Sequence, residues 1–134
     1  MDAVHTLGFD SVTHYNMGNE ATRNKDYTEI IKDHKAEYDR IDKTDMLYFP
    51  QVSLGWDNNP RFRKFKTSIV KNNTPENVKK AFMQAKEYVD THDLPAPLVI
   101  INSWNEWTET SYLQPDNVYG YGYLEAVKDV FSED

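Results

Sequence analysis

The densest run of chemistry-bearing side chains is Asn102 to Glu109, Asn-Ser-Trp-Asn-Glu-Trp-Thr-Glu, where two tryptophans and two carboxylates crowd together. Sugars present hydroxyls around the ring edge and C–H groups on its faces. Indole platforms (Trp104, Trp107) beside hydrogen-bonding groups (Asn102, Asn105, Glu106, Glu109) therefore suit a carbohydrate. Paired carboxylates suit breaking or transferring one, provided they meet. In an extended strand, residues three apart lie roughly 10 Å from each other on opposite faces. In a turn they come within about 5 to 6 Å, close to the roughly 5 Å between the carboxyls of retaining glycosidases. The pair therefore requires a turn after Glu106, with one carboxyl held protonated by apolar surroundings or by the other's charge. The plain alternative is that both carboxylates merely solvate a loop or cap a helix.

A second cluster, Gly55-Trp-Asp-Asn-Asn-Pro-Arg61, follows an apolar run. Trp56 and Asp57 either face the same crevice or form an Asx-type turn beside a packed indole. His14 and Tyr15, at the end of an earlier apolar run, offer a third wall, although a single histidine is as readily structural. Other chemistries lack their signatures. The four histidines, His5, His14, His34 and His92, show no ligand spacing, and the five glycines form no phosphate loop. No nucleophile elbow is present. No metal or other cofactor is expected.

The elements that must hold these residues alternate. Short apolar runs at Gly8–Tyr15, Met46–Leu54 and Leu98–Ser103 read as strands, the last as one covered on both faces. Pro50 conflicts locally with the second, since it lacks a ladder donor. Between them Tyr27, Ile30, Ile31, His34, Tyr38 and Ile41 recur at helical spacing. A second helix opens on Thr74 as N-cap with Pro75 at its first position, carries Val78, Ala81, Phe82, Ala85 and Val89 on one face, and ends near His92. A third spans about Gly120 to Phe131, with Tyr123, Leu124, Val127, Val130 and Phe131 as its apolar side. The links from helix to strand are short. Those from strand to helix, Asn16–Lys25, Gly55–Asn73 and Trp104–Tyr119, are long, and in parallel α/β folds such loops build the site. The expectation is an α/β fold of three parallel strand–helix units, with the ends Tyr15, Leu54 and Ser103 along one edge.

A length of 134 residues fits a single domain, residues 1–134, and 39% hydrophobic with 28% charged residues is enough for a soluble core. The formal net charge of −7 opposes phosphate backbones and anionic lipid, so no nucleic acid partner is expected. No apolar run approaches the roughly 20 residues that span a bilayer, so membrane insertion is not expected either. The start, Met1 to His5, does not read as a signal peptide, and the absence of cysteine suits a reducing, cytoplasmic setting.

The stretch Ile101-Asn-Ser-Trp-Asn-Glu-Trp-Thr-Glu109, continuing through Tyr112-Leu-Gln-Pro-Asp116 to Tyr119-Gly-Tyr-Gly-Tyr-Leu-Glu125, closely resembles the end of the WbsX-like glycosyltransferases, grouped with glycoside hydrolase family 99-like (β/α) barrels. The segments Gly55–Arg61 and Gly8–Tyr15 resemble the two preceding strand ends. The resemblance implies a full barrel, which needs about 250 residues, so this chain would be its C-terminal part. It also implies that Glu106 and Glu109 are catalytic: one carboxylate deprotonates a neighbouring sugar hydroxyl, and the other is acid/base. The chain departs from the family pattern at Thr110, where glycine is common, and at Gln114, where glutamate is common. The expectation is a carbohydrate-active domain, glycosidase-like or transferase-like, acting on an oligo- or polysaccharide. The alternative is a noncatalytic glycan-binding or truncated remnant module. A part-barrel with bare strand edges is expected to self-associate or to pair with an upstream barrel half.

Overall fold

The computed structural model describes residues 2–17 and 25–132. Residues 18–24 of the first long loop lie outside the described residues. The first element, helix α1 (Asp2–Thr6), was not expected from the sequence. It closes in a Schellman motif: Gly8, at φ 78°, donates to the His5 carbonyl at 3.0 Å, and Phe9 donates to that of Val4 at 3.2 Å. Gly8 and Phe9 are thereby spent on a helix cap. The expected strand Gly8–Tyr15 contracts to β1 (Ser11–Val12).

The central apolar run divides at Pro50 into β2 (Leu47–Tyr48) and β3 (Gln51–Ser53). β2 pairs in parallel with β1, placing Ser11 opposite Leu47 and Val12 opposite Tyr48. β3 pairs in parallel with β4 (Ile100–Asn102), placing Gln51 opposite Ile100 and Ser53 opposite Asn102. Phe49 still donates to the Val12 carbonyl at 3.0 Å, and the Pro50 carbonyl accepts from Ile100 at 2.9 Å. The chain thus changes neighbour at the residue whose nitrogen has no hydrogen to offer, which resolves the conflict over Pro50. The result is an alternating β/α arrangement with parallel pairing, consistent with part of a (β/α) barrel and not a closed one.

The three strand ends lie together. The Tyr15 carbonyl accepts from Gln51 Nε2 at 3.2 Å and from Asn102 Nδ2 at 2.9 Å, while Leu54 donates its N–H to the Asn102 carbonyl at 3.0 Å. β4 differs from the doubly covered strand expected of Leu98–Ser103: Leu98 precedes it at 49% exposure and Ile100 is 38% exposed. Among the described residues β4 has one neighbour, β3, so its outer edge is unpaired.

Helix α2 (Tyr27–Ile41) buries all six residues of its expected stripe, and the Asp26 carboxylate caps it by accepting from Thr28 N at 2.9 Å. Helix α3 (Pro75–Thr91) starts as expected, with Thr74 accepting from Asn77 N at 3.4 Å. Its buried face runs to Tyr88 instead of Val89, because Tyr88 falls on the side where Tyr38 and Tyr48 meet it, 5.0 and 5.7 Å away between rings. Helix α4 (Gly122–Phe131) buries Tyr123 and Ala126, with Leu124 half-buried beside them. Val52, Leu54, Val78, Phe82 and Tyr123 share one core, closed by the Tyr27 hydroxyl, which donates to the Ser53 carbonyl.

A second cluster surrounds His34, which is 3% exposed and, among the described residues, has no hydrogen-bond partner on either ring nitrogen. Its ring lies 5.2 Å from that of His14 and 4.8 Å from that of Tyr38. Burial, then the nearby His14, pulls its pKa down to about 4, against the attraction of Glu37. A histidine whose folded pKa is depressed keeps its full contribution above the unfolded value of 6.5 and loses it as pH falls through about 4. Fluorescence-monitored urea melts should therefore show stability falling across this window by up to about 3 kcal/mol. His34→Phe should flatten that slope, and an unchanged slope would remove His34 as its cause.

Candidate functional site

The third long loop, Trp104–Tyr119, opens with a small hairpin. β5 (Asn105–Glu106) pairs antiparallel with β6 (Ser111–Tyr112), and a 3-10 turn, Trp107–Glu109, joins them. Serine hydroxyls knit its base: Ser103 Oγ donates to the Ser111 carbonyl at 3.0 Å and accepts from Glu106 N at 3.1 Å, while Ser111 Oγ donates to the Asn102 carbonyl at 2.7 Å. Thr110 ends the turn in the left-handed region at φ 53°. The turn after Glu106 is therefore present, beginning at Trp107.

It brings both carboxylates to one cation. Arg61 Nη1 donates to Glu109 Oε1 at 2.9 Å and Nη2 to Glu106 Oε1 at 3.0 Å, while Nε donates to Thr108 Oγ1 at 2.8 Å. Thr108 in turn donates to Glu106 Oε1 at 2.7 Å. Glu109, whose side chain is 6% exposed, also accepts from the Tyr15 hydroxyl through Oε2 at 2.9 Å. The two acids differ in consequence. Glu109 is buried with both oxygens bonded, whereas Glu106 is 37% exposed and bonded through Oε1. The Thr108 hydroxyl first, and then the Arg61 charge, hold the Glu106 carboxyl below its ordinary range. Of the two carboxyls, Glu106 is therefore the one held ionised, beside a guanidinium. Burial and the bond to Glu109 push the Tyr15 phenol up.

The remaining expected site residues divide. Trp107 stacks on Tyr112 with ring centroids 4.0 Å apart, its indole N–H donates to Gln114 Oε1 at 3.1 Å, and it stays 46% exposed. Trp104, on the same hairpin, is 53% exposed, and Asn105 is exposed beside it. Trp56 is half-buried, its carbonyl accepting from Val70 N at 2.8 Å. Asp57 forms the Asx turn, accepting from Asn59 N and Nδ2 at 2.9 and 2.7 Å. Asn102 is buried and its amide nitrogen is committed to the Tyr15 carbonyl. His14 turns from the carboxylates to the helix side, where it bonds the Tyr48 hydroxyl at 2.9 Å and lies 3.7 Å from Glu37.

The loops after β3 and β4 are zipped together. Asp57 N donates to the Glu109 carbonyl at 2.7 Å, and Thr110 Oγ1 donates to that of Asp57 at 3.1 Å. A side chain at Gly55 would press on the Thr110 carbonyl oxygen and the Asn73 amide, so only glycine admits this approach. Sequence reasoning missed Arg61 and Thr108 as site residues. The available signal was electrostatic: two acids three residues apart need a cation, and Arg61 ends the motif already singled out. Among the described residues no three His, Asp or Glu side chains are grouped to hold a metal ion, and no helix is long and apolar enough to cross a membrane.

The sequence profile of the family described as glycosyltransferase WbsX matches residues 4–127. The chain belongs to this family. Two proteins of Xanthomonas campestris pv. campestris, from strain B100 and strain ATCC 33913, both called uncharacterized protein WxcX, are 31% identical to it over 108 residues. Those residues are 80% of this chain and 15% of each relative, so the chain corresponds to a small part of the relatives' length. No solved structure matches it significantly. Membership of the WbsX family ties the chain to carbohydrate enzymology. The two departures from the family pattern now have surroundings: Thr110 occupies the left-handed position where glycine is the easier residue, and Gln114 receives the Trp107 indole.

Replacing either neighbour of Glu106 should raise its carboxyl pKa. Carboxyl carbon NMR titration should show a rise in both Thr108→Val and Arg61→Gln, since the hydroxyl bond and the guanidinium each favour the charged form. A fall in either variant would contradict the geometry.

Proposed function

We propose that the chain carries the acid/base pair of a carbohydrate-active enzyme domain, acting by hydrolysis or transfer on glycosidic bonds of an oligo- or polysaccharide. The observation that carries this reading is the meeting of Glu106 and Glu109 on one guanidinium, at the C-terminal end of a parallel strand, beside exposed indoles. Catalytic groups of parallel β/α folds sit at that end.

The asymmetry of the acids suggests their roles. Glu106, ionised and partly open, is the base that takes a proton from a sugar hydroxyl. Glu109 is the acid/base at the leaving oxygen, which requires substrate to draw off Arg61 or Tyr15 so that the carboxyl can take up a proton. Trp104 and Trp107 stack on sugar faces, with Asn105 donating to their hydroxyls. Trp56, Asp57, Tyr15 and Asn102 line or buttress the same crevice, whereas His14 faces α2 and takes no part in it.

One observation favours a second reading. Arg61 neutralises both carboxylates as the chain stands, which suits a noncatalytic glycan-binding module. The single domain, residues 1–134, is proposed as the last units of a larger barrel, whose further strands pair with the outer edges of β1 and β4. Alone, those edges favour self-association. With no cysteine, the chain suits the cytoplasm.

Turnover of activated mannosides separates the readings. Glu106→Gln and Glu109→Gln should each cut kcat by at least about a hundredfold while glycan binding survives. Near-normal turnover in either variant removes that residue from the mechanism, and binding without turnover in the unaltered chain leaves the module.

A further inference from the structure

The chain is acidic overall, yet the loop from Gly55 to Asn73 holds five cations, Arg61, Arg63, Lys64, Lys66 and Lys71, against one carboxylate, Asp57. Four of them alternate with two phenylalanines in Arg-Phe-Arg-Lys-Phe-Lys, residues 61–66. Exposed phenylalanines are costly unless they meet something, and here Phe62 is 45% and Phe65 73% exposed.

The loop is held in shape. Asn59 Oδ1 accepts from Lys66 N at 2.6 Å and its Nδ2 donates to the Lys66 carbonyl at 2.9 Å, so one side chain closes the segment at both polar groups of Lys66. Asp57 in turn fixes Asn59. Lys66 Nζ lies 3.2 Å from the Phe62 ring centroid, a cation–π contact that orients the ring. At one end Arg61 is committed to Glu106 and Glu109. Beyond it Arg63 and Lys64 are exposed and make no ion pair among the described residues.

We infer that residues 62–66 form a subsite for an anionic glycan, one bearing uronate carboxylates, and lead it toward the carboxylate pair. Arg63 and Lys64 bind the negative groups while Phe62 and Phe65 lie against sugar faces. Because the loop is pinned before binding, little ordering entropy opposes the contact. The alternation of rings and charges matches a repeating sugar chain better than a diphosphate, which is cradled by glycine-rich backbone at a helix N-terminus. Residues 62–66 have neither. The inference rests on the carbohydrate reading and names its substrate class.

The test compares hexagalacturonate with its fully methyl-esterified form, the same sugar without charge, by calorimetry on the full chain. The acid should bind about tenfold more tightly at low ionic strength, and added salt should erode the difference. Arg63→Glu with Lys64→Glu should bring the ratio to about one, and the milder pair Arg63→Gln with Lys64→Gln should give an intermediate ratio. Equal binding of acid and ester by the unaltered chain, or a ratio unmoved by both variants, overturns the inference while leaving the carbohydrate reading. Failure to bind either oligosaccharide overturns both. Binding of UDP-glucose more tightly than hexagalacturonate, abolished by the same variants, overturns the glycan assignment in favour of a sugar nucleotide.

Discussion

A carboxylate taken out of water must find a cation and hydrogen-bond donors or give up its charge. Glu109 is in that position, and the Arg61 guanidinium on one oxygen with the Tyr15 hydroxyl on the other meets the demand. Those partners come from the loops after β3 and β1, while Glu109 comes from the hairpin after β4. One buried acid therefore ties together all three strand ends. Gly55, the backbone bond from Asp57 to Glu109 and the Thr110 hydroxyl let the loops approach closely enough for that tie.

The strands beneath serve the same end. Pro50 hands the central segment from β1 to β4, so the two parallel pairings follow one another along a single chain segment. Buried amides then lock the ends: Gln51 and Asn102 both donate to the Tyr15 carbonyl, which fixes where the Tyr15 ring begins its reach toward Glu109. Strand-end geometry and core packing meet here, since Leu54 packs in the core while its N–H donates to the Asn102 carbonyl.

Much of this was legible in the residues. Helical periodicity gave the buried face of α2 in full, and Thr74-Pro75 marked the start of α3, because burial and capping are local. The division of the central strand at Pro50 was flagged only as a conflict, since its resolution depends on two neighbours distant in sequence. The hairpin β5–β6 escaped because two-residue strands carry no periodicity to read, and α1 escaped because five residues are too few. At the site, the turn between Glu106 and Glu109 was anticipated from spacing. Arg61 was not, because its role depends on how two loops dock, and that docking places one guanidinium against both carboxylates. His14, placed in the crevice by its position after β1, faces α2 instead, where it meets Tyr48, Glu37 and the buried His34 ring.

The most direct test is a pair of double-mutant cycles in denaturant unfolding, Arg61→Met combined with Glu109→Gln and separately with Glu106→Gln. With Glu109 nearly buried and Arg61 partly open, the first cycle should return a coupling of about 1–2 kcal/mol. The more exposed Glu106 should couple less strongly. A coupling of zero between Arg61 and Glu109, or a larger one to Glu106, would contradict the view that this buried ion pair holds the strand ends in place.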